Sequence, residues 1–257
     1  MANINMKQMN AFEYRDRVKE NPVVVVPVGA LEQHGPHMPM NVDELLSTDV
    51  ATAVAERIGG LVGPALSFGY KSQQRSGGGY HLAGTTSLSG ATFIALAREI
   101  TLELAAHGVR RFVFCNGHYE NYQFLFEGVD TAIRELKRDG IEIKALLMSY
   151  WDFVDDATIA RLYPEGFTGW DLEHGGVLET SLMLLLHPEM VDMDAVMDGP
   201  PAQLPNYDIL PIKPELTPPS GCLSSAANAT KEKGRILLET ASSKMAEAIR
   251  TEFGLGA

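Results

Sequence analysis

The run Val23-Val24-Val25-Val26-Pro27-Val28-Gly29-Ala30 constrains this chain more than any other stretch. β-Branched side chains pack well on a pleated surface, and a run apolar at every position needs cover on both faces of its sheet. Apolar character ends at Glu32-Gln33-His34, and Gly35-Pro36 break the extended chain before Asp43 opens a helical pattern. Glu32 and His34 lie two apart, so in extended backbone both face the same side. A carboxylate, an imidazole and a second carboxylate thus gather where a strand runs out, which in open α/β sheets is where ligands bind. Taken alone, the stretch also reads as a solvated loop with a helix cap at Asp43.

The pattern repeats downstream. Leu45, Leu46, Val50, Val54 and Ile58 carry a helix from Asp43 to the stop at Gly59-Gly60, and a short strand is predicted over 61–66. Residues 67–81 form a polar, glycine-rich loop. No Gly-Lys-Ser/Thr closes it, so it is not read as a phosphate cradle, and it serves either as a substrate loop or as a flexible surface loop. A helix over 91–106 ends at Gly108. A strand over Phe112–Cys115 follows, then a helix to Lys137 and a strand over Ile141–Met148. Residues 153–174 read as loop, 177–186 as a helix apolar nearly all round, 191–228 as a proline-rich surface excursion, and 230–253 as a closing helix. Strands alternating with long helices require crossover connections, hence a mostly parallel sheet with helices on both faces. No repeat or linker interrupts the pattern, so a single domain over 1–257 is expected.

Composition excludes more than it names. A net charge of −12 with no basic stripe argues against nucleic acid or an anionic membrane surface as partner. Two cysteines are too few for a disulfide framework and fit a reducing compartment. Residues 1–10 lack the apolar core of a signal peptide, and no apolar run nears the roughly 20 residues that span a bilayer, so a cytoplasmic location is expected.

Glu32-x-His34 follows one buried strand and His118-x-Glu120 follows another. Parallel strands place both tips on one edge of the sheet, with Asp43 close in sequence. Three carboxylates and two imidazoles exceed one tetrahedral zinc and suit two divalent ions sharing a carboxylate, with positions left for water and substrate. A single ion, or polar residues that satisfy one another, are the alternatives. Cys115 lies inside an apolar strand and reads as core rather than nucleophile. Ser72 and Ser76 lack a Gly-x-Ser-x-Gly elbow. His174, beside Glu173 among glycines, suits proton transfer or is an ordinary loop histidine. Glu179 falls inside the apolar helix and needs a partner there, either supporting a site or holding a buried hydrogen bond. Trp151 and Trp170 sit beside acidic residues in loops, where an indole face can hold a planar cation or simply pack.

Six stretches together resemble the creatininase family: Pro-Val-Gly-Ala-Leu-Glu-Gln-His-Gly (27–35), Asn-Val-Asp (41–43), Gly-Tyr-Lys-Ser-Gln-Gln-Arg-Ser-Gly-Gly-Gly (69–79), Asn-Gly-His-Tyr-Glu-Asn (116–121), Ser-Tyr-Trp-Asp-Phe-Val (149–154) and Gly-Trp-Asp-Leu-Glu-His-Gly-Gly (169–176). The resemblance implies a three-layer α/β/α sandwich, a homohexamer, and two divalent ions per subunit, Mn2+ and Zn2+. It implies Glu32 and His118 on one ion, His34 and Glu120 on the other, and Asp43 bridging. The implied reaction is reversible hydrolysis of creatinine to creatine by a metal-bound hydroxide, with another small cyclic guanidino amide or a formamide as the alternative substrate. Glu120, Glu173 and His174 are the candidate catalytic groups, and Ser76, Tyr119, Trp151, Trp170, Asp171 and His174 the candidate substrate contacts. One departure stands out: Leu82-Ala83 occupies the place where the family often has Phe-Pro, which bears on the substrate loop rather than the metals.

Overall fold

The structure, a computed structural model, describes residues 3–256. In chain order its main elements are α1 (Ala11–Lys19), β1 (Val23–Val28), α2 (Val42–Ile58), β2 (Leu61–Val62), α3 (Gln74–Gly77), α4 (Gly90–Ala106), β3 (Arg111–Asn116), α5 (Tyr122–Arg138), β4 (Lys144–Ser149), α6 (Asp156–Leu162), α7 (Val177–Leu186) and α8 (Lys231–Phe253). The described strands form one parallel sheet in the order β2-β1-β3-β4. All six residues of β1 are buried. Val23 and Val25 pack with α2, α7 and α8 residues such as Leu46, Val50, Leu182 and Met245. Val24, Val26 and Val28 pack on the other face with Phe93 and Ala97 of α4 and Leu125 and Val129 of α5. The four valines therefore alternate between two cores, and each fully buried one contributes about 1.5–3 kcal/mol by leaving water. This is the expected layered α/β arrangement.

The register positions the chemistry. Val28 pairs with Asn116, and Asn116 with Ser149, so β1, β3 and β4 run out at one level. Local signals stop the helices where the sequence places them: Gly59 takes a left-handed conformation after α2, and Ser89 and Thr230 cap the starts of α4 and α8.

Three expectations need correction. The strand predicted over 61–66 pairs regularly only at Leu61–Val62: Gly63 N still donates to Val25 O (2.8 Å), but Pro64, which has no N–H, interrupts the ladder, and Leu66 rejoins through a single bridge to Val28. The last strand begins at Lys144, not Ile141, whose N–H closes the preceding turn on Leu136. The loop over 153–174 contains α6, started by the Asp155 carboxylate accepting from Thr158 N at 2.7 Å.

The proline-rich excursion straps the loops at this edge. Gln74 Nε2 donates to Lys213 O (2.6 Å), Thr217 Oγ1 to Gly78 O (2.7 Å) and Leu223 N to His174 O (3.0 Å). Among the described residues no helix is long and apolar enough to cross a membrane.

Candidate metal centre

Close backbone approach builds the site. A Cβ on Gly29 would lie 2.5 Å from Glu44 N, and one on Gly117 would lie 2.7 Å from Asp43 O. Only glycine at both positions lets the first turn of α2 wedge between the tips of β1 and β3, and that wedge delivers Asp43. Asn121 locks the arrangement, donating to Gly29 O (3.0 Å) and accepting from Tyr70 N (2.8 Å). Asn116 donates to His118 O (2.8 Å) and accepts from His118 N (3.2 Å), fixing the turn that carries this histidine.

Each of the two strand-tip histidines is oriented by its outer nitrogen. His34 Nδ1 donates to Glu32 O (3.2 Å), which leaves Nε2 facing inward; His118 Nε2 donates to Tyr70 O (3.1 Å), which leaves Nδ1 facing inward. His34 Nε2 then lies 3.0 Å from Asp43 Oδ1 and 3.5 Å from Glu179 Oε1. His118 Nδ1 lies 3.0 Å from Glu32 Oε1 and 3.1 Å from Asp43 Oδ2. Yet His34 Nε2, both Asp43 oxygens and Glu32 Oε2 are buried with no hydrogen-bond partner. Buried polar atoms that crowd together without bonding one another converge on a point between them, and that is the signature of donors for a cation. Two donor sets share Asp43: Glu32, Asp43 and His118, and His34, Asp43 and Glu179. The sequence-predicted donors are thus brought together, with one rearrangement: His34 shares its set with Glu179 rather than Glu120. Glu120 instead sits beside His118, Oε2 3.3 Å from its Nε2, with Oε1 accepting from Gln73 N and Ser76 Oγ, each at 2.7 Å.

Electrostatics point the same way. Glu32, Asp43, Glu120 and Glu179 bring four carboxylates into one cluster with His34 and His118. Burial opposes a charged imidazole, but Glu179 and Asp43 at His34, and Glu32 and Glu120 at His118, outweigh it and hold both rings well above their ordinary pKa. Burial also opposes ionised Asp43 and Glu179, yet the pull of His34 takes both below the usual carboxylate range. At Glu120 burial prevails and the pKa is raised. The cluster is one that positive charge stabilises.

A cleft opens over these donors, lined also by Ser76, Tyr119, Trp151, Trp170, Glu173 and His174. Trp151 is buried and nearly parallel to Tyr119, at 6.2 Å between centroids and 19° between planes. Trp170 is held edge-on by Phe167 at 4.4 Å and Tyr163 at 6.4 Å. Of the predicted substrate contacts, Asp171 is not among the lining residues. Glu173 lines the cavity, but its Oε2 accepts from Leu178 N (3.0 Å) at the start of α7. Burial pushes its carboxyl up to about 7. Sequence reasoning missed Phe167, and it flagged Glu179 without its ligand set; a carboxylate in the first turn of an apolar helix was the available signal.

A sequence-family model described as creatininase, creatinine amidohydrolase, matches residues 7–249. The chain is 58% identical over 244 residues to creatinine amidohydrolase of Pseudomonas putida, covering 94% of each. It superposes with a TM-score of 0.96 on a manganese creatininase (56% identical, 98% of this chain and 99% of the other). A Zn-Zn type creatininase variant gives 0.96 at 55% identity, and a variant complexed with creatine gives 0.95 at 56%, both over 98% of this chain and 99% of the other. Likeness of this extent, with donors standing at both strand tips, means that this chain belongs to the creatininase family.

Proposed function

We propose that the chain is a binuclear-metal hydrolase that opens the cyclic amide of creatinine, reversibly, to give creatine. The observation that carries the reading is the pair of donor sets meeting at Asp43 with their buried atoms unpartnered. Glu32, Asp43 and His118 would hold one ion and His34, Asp43 and Glu179 the other, with manganese and zinc as the metals that solved relatives support. Two such ions would supply Lewis acidity toward the amide carbonyl and would lower the pKa of a water held between these residues.

The remaining residues act on the substrate. Trp151 and Trp170 wall the cavity and suit a flat cationic ring, held by the indole face. Ser76 donates to Glu120, which fixes that carboxylate at the cavity to orient water and hold a proton. His174 sits with Nδ1 3.6 Å from Glu32 Oε1 and its ring 4.5 Å from that of His34, within reach of the place where a proton must arrive at the leaving ring nitrogen. Glu173 anchors the start of α7, the helix that carries Glu179, and so acts on the chemistry through position. Tyr119 lines the mouth, and Asp171 bears on it through its charge.

A cytoplasmic homohexamer completes the reading. The free, buried cysteines Cys115 and Cys222 fit a reducing compartment, and exposed Met197, Tyr207 and Leu210 on the excursion suit a subunit contact. Purified protein loaded with manganese is expected to convert creatinine to creatine and to approach the same equilibrium from creatine. Protein that carries two ions per chain and leaves creatinine unchanged, while opening another small cyclic amide, assigns the substrate differently. Protein that binds no transition metal and gains no activity on adding any removes the enzyme reading.

A further inference from the structure

We infer that Gln33 is the positioning residue that fixes His174 as the Nδ1–H tautomer, so that His174 meets the cavity as an N–H donor and not as a metal ligand. The kinetic part of this inference rests on the function proposed above; the placement of the ring does not.

Gln33 lies between Glu32 and His34, but its side chain turns away from the donor cluster. Its Oε1 accepts from Gly35 N at 2.9 Å, and its Nε2 donates to Gly221 O at 2.9 Å. One amide oxygen faces a backbone N–H and the amide nitrogen faces a backbone carbonyl, so only one orientation of the amide satisfies both. The second proton of that nitrogen then points at His174 Nε2, 2.9 Å away. An N–H facing Nε2 requires a lone pair there, and in a neutral imidazole the proton must sit on Nδ1. Nδ1 faces the cavity, 3.6 Å from Glu32 Oε1.

Two features make the arrangement stiff. Gly221 has φ of +79°, and a Cβ there would lie 2.2 Å from Gln33 Oε1, so the excursion brings bare backbone against the amide. The next turn of the same segment holds the backbone of His174, through Leu223 N donating to His174 O at 3.0 Å. His174 also forms a third grouping with Glu32 and His34 whose atoms would admit a cation. A protonated Nδ1 cannot ligate, so Gln33 withdraws His174 from that grouping and leaves the two sets that share Asp43.

The test is ring-15N NMR of zinc-loaded protein labelled at histidine, with His174 assigned by the signals lost in His174→Asn. The parent is compared with Gln33→Leu and Gln33→Glu, alongside kcat and KM for creatinine and bound metal per chain. The parent is expected as Nδ1–H. Gln33→Leu, which offers no donor, is expected to populate both tautomers. Gln33→Glu, nearly the same shape but an acceptor toward Nε2, is expected as Nε2–H. Both variants should keep two ions and a KM within about threefold while kcat falls about 10²-fold, the scale on which a misplaced acid–base group is felt. A parent found as Nε2–H, one tautomer common to all three proteins, or a changed tautomer with unchanged kcat would overturn the inference. A tautomer switch of the expected sign in protein inactive on creatinine supports the placement of the ring and removes the substrate assignment instead.

Discussion

The two walls of the cavity are built differently. The donor wall hangs on the tips of β1 and β3 and the first turn of α2, all at one level of a parallel sheet. Its candidate donors Glu32, His34, Asp43 and His118 are buried, as is Glu120 beside them, and hydrogen bonds from Asn116 and Asn121 and to the carbonyls of Glu32 and Tyr70 set its angles. The aromatic wall hangs on short turns, Tyr150–Phe153 and Trp170–Leu172, and the half-buried Trp170 owes its pose to other rings. The lesson is a division of labour. On the proposed function, ion geometry, which tolerates little error, would sit on the rigid sheet edge, whereas selection among small flat substrates would sit on turns that can vary without moving the ions.

The strongest way to break this contrast is Asp43→Asn, which removes the shared donor. Turnover is expected to fall about 10³-fold or more, since two-ion stabilisation is worth several kcal/mol, and metal analysis should find fewer than two ions per chain. Tryptophan fluorescence should stay unchanged. Trp151→Ala probes the other wall: the loss of an indole face should lower kcat/KM by roughly 3- to 30-fold, mainly through KM, with metal content intact. Metal loss in that variant would mean the walls are one unit. Phe167→Ala removes the edge contact on Trp170, worth about 0.5–1.5 kcal/mol, so KM should rise about two- to tenfold.

Glu173→Gln has the smallest expected effect on turnover, less than about tenfold, and a loss much beyond that would make Glu173 a chemical participant. Its signature lies in stability. Burial, and then Glu179, raise the Glu173 carboxyl from 4.5 to about 7, against the pull of the Leu178 N–H and Lys233. The folded protein therefore binds this proton more tightly than the unfolded chain between those values, and stability is fully present below pH 4.5 and declines as pH rises toward about 7. Denaturant titrations across that window should show the decline in the parent and a flatter curve in the variant.

What the sequence discloses follows the same division. Val23–Val28 needs only its unbroken apolar run to be read as a two-faced strand, and the pairs Glu32/His34 and His118/Glu120 need only its direction to be placed together. The Val177–Leu186 helix is legible from composition alone. Glu179 is not, because its role depends on α7 docking beside α2, a contact between residues 136 positions apart (43 to 179) that no local pattern encodes. The seven residues of α6 are too few to show a helical period, although Asp155 before and Pro164 after were usable punctuation. Gln33 stood inside the most informative motif and its role was hidden there, since the carbonyl that orients it comes from Gly221, deep in the proline-rich excursion.

The central claim is a pair of ions bridged by Asp43, and anomalous scattering at the manganese and zinc edges, from crystals of metal-loaded protein, tests it most directly. The account predicts two peaks per chain, one among Glu32, Asp43 and His118 and one among His34, Asp43 and Glu179, each about 2.0–2.2 Å from its donors. A single peak, or two peaks that do not share Asp43, would contradict it.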